Sequence, residues 1–291
     1  MTNNDRIFFV SQKLGHCGDN ICCLSAAIEF AERIDGIVYV DFFKDVVEAY
    51  NHPRLRFGMY GEPLSVNAVN KHRNKFPCFF KNILGTYYAE FGLPLADPVL
   101  RLPKFPKGVS KALIQTESNF ALNPPVDYIQ LVVDEFIRLT GLEVFAVGGE
   151  KTERNLKRVN YDLLKNDMPF LMKQVQNAIC VLTPRSLCAN LAAGYKVPGF
   201  MWSPYDGEDW HLNYTGWDKV VSNWIPMDGT VLDPTGSEGK RCESLQVFEP
   251  VEESMRRFVG LVGFKKFSIR NAGEGKREQR EIKYDRDMDK V

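Results

Sequence analysis

The N-terminal part of the chain places an apolar strand, a glycine-bearing turn and a helix in direct succession. Residues 7–10 are consecutive apolar side chains, which predicts a short buried strand. Residues 15–20 form the turn, and in residues 21–34 the apolar side chains recur at helical spacing. This order is typical of the opening of an α/β domain, in which ligands bind outside the carboxyl ends of the strands. The feature therefore assigns the chain to the α/β class and directs attention to the turn.

Two side chains of the turn are candidates for catalysis. Asp19 is predicted just before the helix, where a carboxylate either caps the helix N-terminus or acts as a base on a ligand. His16 is the second candidate base, and a histidine in a turn is more often simply exposed. The residues of the turn leave these alternatives open.

A second series of strands and helices follows a segment at residues 100–108 that proline and glycine interrupt. The strands of this series are predicted at residues 112–115, 142–147, 178–182 and 199–202. Its helices are predicted at 126–140, with Gly141 as C-cap, at 170–177 and at 247–261. A further helix is predicted after the strand at 178–182, with Thr183 as N-cap and Pro184 as its first residue. The interruption at residues 100–108 therefore predicts a linker between two α/β domains.

Length and charge agree with a two-domain globular protein. A chain of 291 residues suits two modest domains, which we place at residues 1–106 and 107–264, followed by a charged tail at 265–291. The counts of Lys+Arg and Asp+Glu are both 37, which argues against a generally basic, nucleic-acid-binding body. No apolar run approaches the ~20 residues of a membrane span, and the N-terminus lacks a signal-peptide pattern. We therefore predict no membrane span and a cytoplasmic location.

The cysteines favour reduced thiols over a disulfide framework. The chain has 7 of them, an odd number. Cys17, Cys22 and Cys23 cluster, but no second Cys/His pair stands at the spacing of a zinc site. We therefore predict no metal site and no cofactor apart from a substrate nucleotide.

Three stretches resemble the GT-B glycosyltransferases, and within them the heptosyltransferase-like group that includes the lipopolysaccharide ADP-heptose transferases. They are Gly18-Asp19-Asn20-Ile21 with Leu24-Ser25-Ala26-Ala27, the segment at 141–150 with its Gly148-Gly149-Glu150 loop, and the segment at 178–198. The resemblance implies two Rossmann-like domains facing across a cleft. It also implies inverting, metal-independent transfer of a sugar from a nucleotide-sugar donor to an acceptor hydroxyl, with Asp19 as the general base.

The chain departs from the group at the start of the donor helix. The group usually carries Asp-Ser/Thr-Gly there and a His three residues later. This sequence has Thr183-Pro184-Arg185 and Cys188 in those positions. The acidic and histidine donor contacts of the group are therefore absent.

The predicted donor contacts follow from the resemblance and from helix electrostatics. The leaving diphosphate is expected at the start of the donor helix, where free N–H groups and the helix dipole favour anions and where Arg185 adds charge. The alternative for Arg185 is a solvent-facing position, and Gly149 is equally a turn at a strand end. The predicted donor contacts are Thr116, Ser118, Gly148, Gly149, Glu150, Thr183, Arg185 and Ser186.

The acceptor and the activity itself have alternatives. The resemblance indicates a bacterial-type glycan. A modified nucleic-acid base, such as a hydroxymethylated DNA base, is the second alternative because Lys265-Lys266 and Lys276-Arg277 lie in the tail. The aromatic loop with Trp210, His211, Tyr214 and Trp217 suits a sugar and a base equally. In another class of function, the chain is a non-catalytic nucleotide- or glycan-binding protein that retains the GT-B fold.

Overall fold

Two parallel sheets and the helices around them make up the fold. The computed structural model describes residues 6–11, 17–64, 83–94, 100–116, 124–149, 155–184, 186–202, 217, 219–223 and 249–264. The strands within these ranges are β1 (Ile7–Val10), β2 (Ile37–Val40), β3 (Leu55–Phe57), β4 (Glu62–Leu64), β5 (Ala112–Ile114), β6 (Val144–Ala146), β7 (Val159–Asn160), β8 (Cys180–Thr183), β9 (Gly199–Met201) and β10 (Val220–Ser222). The helices are α1 (Cys17–Arg33), α2 (Lys44–Tyr50), α3 (Ile83–Glu90), α4 (Val126–Thr140), α5 (Met168–Gln176), α6 (Leu187–Tyr195) and α7 (Val251–Val262).

Both sheets have the strand order of Rossmann-like units. The first sheet is ordered β3-β2-β1-β4 and the second β10-β9-β8-β5-β6-β7, with parallel pairing throughout. In the first sheet the order reverses between β1 and β4, and in the second it reverses between β5 and β8. Ligands of open α/β sheets bind outside the carboxyl ends of the strands at such reversals. The fold thus defines one expected ligand crevice on each sheet.

One large apolar cluster joins the two sheets. Buried side chains of β1, β2 and α1 pack in the same cluster as buried side chains of α5, α6 and one face of the second sheet, for example Val10, Leu24, Met172, Leu191 and Val181. The other face of the second sheet packs against α4 and α7 in a separate cluster. The helices α5 and α6 therefore lie between the second sheet and the helices of the first.

The predicted linker has no helix or strand, but hydrogen bonds attach it on both sides. The backbone N–H of Arg101 donates to Ser25 Oγ of α1 at 2.7 Å, and Tyr50 Oη of α2 donates to the Arg101 carbonyl at 2.7 Å. On the other side, the carboxamide of Gln176 bonds both the N–H and the carbonyl of Phe105, each at 2.8 Å. These hydrogen bonds hold the linker in place between α1 and α2 on one side and α5 on the other. Domain limits at residues 106 and 264 stay predictions.

Two of the helix starts that differ from the sequence predictions lie at predicted site residues. Helix α1 begins at Cys17, so Asp19 lies in its first turn and not before it. The predicted donor helix, α6, begins at Leu187 with Ser186 as N-cap, so Thr183 as N-cap and Pro184 as first helical residue are wrong predictions. Thr183 instead ends β8, because it still pairs with Met201 in the sheet. The predicted helix at 126–140 is confirmed as α4.

Candidate functional site

The ends of β5 and β8 and the start of α6 share one hydrogen-bond network. The carboxamide oxygen of Gln115, the residue after β5, accepts bonds from Ser186 Oγ at 2.6 Å and from the Cys188 N–H at 3.3 Å. Ser186 Oγ also lies 2.8 Å from Thr183 Oγ1 at the end of β8. The side chains of Gln115, Thr183 and Ser186 therefore line the place where the strand order reverses in the second sheet, and they hold one another in position.

Gln115 accepts a hydrogen bond from a first-turn N–H group of α6, as an N-cap side chain ordinarily does. Ser186 makes no side-chain bond to the N–H groups of its own helix. The Gln115 oxygen takes the Cys188 N–H, which is one of the first-turn donors that a helix leaves without a partner. The helix start attracts anions, so a phosphate group bound here would share this first turn with Gln115.

The other described donor candidates lie at the same edge of the second sheet. Thr116 follows Gln115 and is fully buried. Gly148 follows β6 with a φ of 118°, a backbone angle that favours glycine, and Gly149 is next in the chain. The strand ends thus bring Thr116, Gly148, Thr183 and Ser186 to one sheet edge. His16, Ser118, Glu150 and Arg185 lie outside the described residues, as does the side chain of Asp19.

Cys188 stands where the resembled group has a histidine, and its environment differs accordingly. The residue is fully buried in the large apolar cluster. Burial raises the pKa of the Cys188 thiol to about 12. The thiol is therefore neutral at physiological pH and serves as packing in the described structure.

The first turn of α1 lies against α6. A Cβ atom built on Gly18 would lie only 2.9 Å from Nδ2 of Asn190, so the close approach depends on glycine. The same Nδ2 donates to the Ser186 carbonyl at 3.2 Å. The turn that contains Asp19 is thereby brought next to the Gln115–Ser186 network. Sequence reasoning selected both segments, and the fold places them together.

Sequence reasoning missed a polar pair on the first sheet. Ser11 Oγ donates to Asp41 Oδ2 at 2.8 Å. Ser11 follows β1 and Asp41 follows β2, one position beyond the paired residues Val10 and Val40. The signal was available in the sequence, because the apolar runs at residues 7–10 and 37–40 are each followed directly by a polar residue.

Three buried polar atoms at the sheet edges accept or donate no hydrogen bond among the described residues. They are Oδ1 of Asn20, Nε1 of Trp202 and Oδ1 of Asn223. Asn20 lies in the first turn of α1, whereas Trp202 and Asn223 directly follow β9 and β10. Leaving such a group unpaired is costly, so water or a ligand normally completes it. These atoms therefore show where water or a ligand can form further hydrogen bonds, at the carboxyl ends of the strands.

Tyr128 supports the polar end of β10. The carboxamide nitrogen of Asn223 donates to its phenolic oxygen. Burial raises the pKa of Tyr128 to about 12, although the hydrogen bond from Asn223 acts in the opposite direction. The phenol is therefore neutral and keeps its proton.

Within the described ranges, no group of three or more His, Cys, Asp or Glu side chains is arranged to hold a metal ion. Likewise, none of the helices in those ranges is long and apolar enough to cross a membrane.

The fold consists of two Rossmann-like units, each with polar residues at the carboxyl ends of its strands, joined by the linker at residues 100–108. This is the architecture of the GT-B class of α/β fold, and comparison with solved structures gives the same fold. The heptosyltransferase TibC, described as dodecameric and iron-containing and solved with ADP-D-β-D-heptose, matches with a TM-score of 0.63 at 13% identity over 90% of this chain and 76% of that one. A second structure of TibC, from enterotoxigenic E. coli H10407, matches with a TM-score of 0.63 at 12% identity over 89% of this chain and 75% of that one. The family 9 glycosyl transferase from Veillonella parvula DSM 2008 matches with a TM-score of 0.56 at 12% identity, over 90% and 98% of the two chains.

At these identities the likeness establishes the fold. No protein-family profile matches the chain, and no curated protein matches it. The predicted GT-B architecture, with a resemblance to heptosyltransferases, is thus confirmed at the level of structure.

Proposed function

We propose that the protein is a glycosyltransferase that moves a sugar from a nucleotide-sugar donor to an acceptor hydroxyl. The observation that carries the proposal is the contact of Gly18 with Asn190, which sets the first turn of α1 beside the start of α6. A sugar-transfer site needs a base for the acceptor next to a place for the leaving diphosphate. The contact supplies that adjacency between elements of the two sheets.

The donor is assigned to the edge of the second sheet. Its diphosphate lies at the start of α6, near Ser186 and Arg185, and its nucleoside lies toward the ends of β5 and β6. Thr116, Ser118, Gly148, Gly149, Glu150 and Thr183 complete the contacts. The TibC structure was solved with ADP-D-β-D-heptose, so ADP-heptose is the first donor to test.

The reaction we propose is a single displacement. Asp19, or His16 in its place, takes the proton of the acceptor hydroxyl, and the acceptor oxygen bonds to the anomeric carbon of the donor. The bond between that carbon and the diphosphate oxygen breaks, and the nucleoside diphosphate leaves with its electron pair. Attack opposite to the leaving group inverts the anomeric centre. The proposed mechanism uses no metal ion, as the resemblance implies.

TibC is named as an iron-containing protein, which makes iron a candidate ligand for this chain. The described residues offer no set of three His, Cys, Asp or Glu ligands. They therefore do not fit an iron site, and no step is assigned to one.

A glycan is the acceptor that we propose. The residues that would favour DNA, Lys265-Lys266 and Lys276-Arg277 of the charged tail at 265–291, lie outside the described residues. The neutral overall charge, with 37 basic and 37 acidic residues, offers no general attraction to a phosphate backbone.

A second candidate function has its own support. The Gln115 oxygen pairs with the Cys188 N–H and with Ser186, so part of the helix start is complete without a phosphate. Fewer free N–H groups then remain to stabilise a leaving diphosphate, which favours the alternative of a nucleotide- or glycan-binding protein that retains the fold without turnover.

A panel of ADP-, UDP-, GDP- and CMP-sugars, scored for release of free nucleotide, separates the two functions. Turnover of one donor, with Asp19→Asn slower by about 10²–10⁴-fold at nearly unchanged donor affinity, is the result expected for the enzyme. Binding of a nucleotide-sugar without release would support the binding protein. Normal turnover of Asp19→Asn would transfer the role of base to His16.

A further inference from the structure

The linker changes its attachment from one Rossmann-like unit to the other within three residues. The first unit comprises β1–β4 with α1–α3, and the second unit comprises β5–β10 with α4–α7. The backbone N–H of Arg101 donates to Ser25 Oγ, and its carbonyl accepts from Tyr50 Oη, each at 2.7 Å. The guanidinium of Arg101 pairs with Glu29 and Glu32 of α1. Arg101 is therefore held by the first unit through both its backbone and its side chain.

The following residues of the linker are held by the second unit. Tyr195 Oη of α6 donates to the Pro103 carbonyl at 2.8 Å. The Gln176 carboxamide of α5 bonds the N–H and the carbonyl of Phe105, each at 2.8 Å. Leu102 thus lies between a segment that the first unit holds and a segment that the second unit holds.

Leu102 is itself packed, so the chain has little freedom to rotate at this residue. A Cβ atom built on Gly194 of α6 would lie 2.6 Å from Leu102 Cδ1 and 2.8 Å from Leu100 Cδ2. The linker therefore lies directly against the backbone of α6, in a packed interior that has no free space for its leucines. The next residue, Pro103, is buried, and its ring restricts φ. Rotation of one unit against the other would break the leucine packing or the bond from Tyr195.

The two phenols that hold the linker, Tyr50 and Tyr195, come from opposite units. Burial raises the pKa of each phenol, and the nearby Tyr195 raises that of Tyr50 further. Both phenols therefore stay protonated and donate hydrogen bonds at neutral pH. Around them, one apolar cluster contains buried side chains of both units, for example Leu24 and Leu191. Relative motion of domains is expected unless their interface is large and hydrophobic, and here the interface is part of the apolar core.

We propose that Tyr50, Tyr195 and Gln176, together with the packing of Leu100 and Leu102 on α6, form a clamp that holds the two units in one relative orientation. Ligands then bind a crevice whose geometry is already set, and the units do not close on them. The clamp is independent of the sugar-transfer reaction, since it concerns the relative motion of the units. For that reaction, the separation between the first turn of α1 and the start of α6 is set by folding and not by donor binding.

Double electron–electron resonance on the full chain measures the distance between the units. Spin labels are attached to genetically encoded keto amino acids at the positions of Asp45 in α2 and Glu253 in α7, because the chain has 7 cysteines. Both positions are exposed and lie outside the clamp. The labelled protein is expected to give one narrow distance distribution. ADP or UDP is expected to shift it by less than about 2 Å, the size above which a change counts as a domain rearrangement.

Tyr50→Phe/Tyr195→Phe/Gln176→Leu removes the hydrogen bonds of the clamp and is expected to broaden the distribution by more than about 2 Å. Tyr161→Phe is the matched control. The Tyr161 phenol also donates to a backbone carbonyl, that of Leu156 at 3.1 Å, but within the second unit, so its removal should leave the distribution unchanged. Thermal melts check that each variant folds. If the triple variant does not fold, Tyr50→Phe/Tyr195→Phe takes its place and the same broadening is expected.

A broad or two-peaked distribution in the labelled protein would overturn the proposal, as would a shift of more than about 2 Å on addition of a nucleotide that binds. An unchanged distribution in the clamp variant would do the same, because its hydrogen bonds would then restrain nothing. Equal broadening in Tyr161→Phe would also refute the clamp. Calorimetry with ADP and UDP separates these failures from failure of the proposed function. Absence of nucleotide binding would refute the donor assignment, whereas the width of the distribution without nucleotide tests the clamp by itself.

Discussion

The close approach of Gly18 to Asn190 predicts that alanine at position 18 has opposite effects in two backgrounds. Gly18 lies within α1 and is absent from the residues with positive φ, so alanine fits its backbone. Replacing a helical glycine by alanine ordinarily stabilises a protein by about 0.5–1 kcal/mol. Here the new Cβ would lie 2.9 Å from Asn190 Nδ2. The amide must move away, and its bond to the Ser186 carbonyl at 3.2 Å is lost.

The loss of that bond costs about 1 kcal/mol or more, because the groups are largely buried. Gly18→Ala in the wild-type background should therefore be neutral to destabilising by up to about 1 kcal/mol. In an Asn190→Ala background the obstacle is gone, and the same change should stabilise by about 0.5–1 kcal/mol. The expected coupling energy between the two positions is about 1 kcal/mol, well above the ~0.3–0.5 kcal/mol found for independent sites.

Urea unfolding of the wild type, both single variants and the double variant measures this cycle. Gly260→Ala is the matched control, because Gly260 lies on the exposed side of α7 and a Cβ there meets nothing within 4 Å. It should stabilise equally with and without Asn190. If Gly18→Ala stabilises by the same amount in both backgrounds, α1 and α6 do not meet as described, and the observation behind the proposed function is lost.

Three further perturbations test other contacts of the structure. Gln176→Leu should lower the free energy of unfolding by about 1–2 kcal/mol, measured by urea unfolding, because it leaves the N–H and carbonyl of Phe105 in the linker without partners. Asp167 caps α5 by accepting the Phe170 N–H at 2.9 Å, and the bonds from Lys165 and from that N–H hold its pKa below the usual 3.8. Asp167→Ala should therefore lower the free energy of unfolding by about 1 kcal/mol near pH 7. The difference from wild type should shrink as the pH falls below about 4, because a group with a lowered pKa stabilises the fold only while it is ionised. Cys188 should resist iodoacetamide in the native protein and react only after unfolding, as mass spectrometry of the labelled peptides would show, because its thiol is buried with a raised pKa; native labelling would contradict its buried position.

Several elements could be predicted because local patterns decide them. Helix α4 was predicted at its observed limits, since its apolar residues recur with helical spacing and Gly141 ends it with a φ of 70°. The start of α6 was predicted three residues too early. Thr183 and Pro184 are good helix-opening residues locally, but pairing of Thr183 with Met201 extends β8 and overrides that preference. Short strands such as β7 and β10 carry too few residues for a periodic signal.

The candidate site was predictable only in part. Asp19, Thr183 and Ser186 were selected from the sequence because they follow strands near glycine-rich or helix-opening segments. The role of Gln115 was not, since its two bonds to Ser186 and Cys188 join residues 71 and 73 positions apart in the chain. No local pattern contains a contact of that length.

The sequence by itself determined the class of the fold, the order of most helices and of the longer strands, and the presence of polar residues at strand ends. These properties depend on side-chain periodicity and on turn chemistry over a few neighbouring residues. The tertiary structure alone decided which polar residues meet. It paired Ser11 with Asp41, joined Gln115 to the start of α6, and set Gly18 against Asn190. Those contacts arise from sheet register and from the packing of α1 against α6, which are set by burial of the shared apolar cluster and not by any local segment.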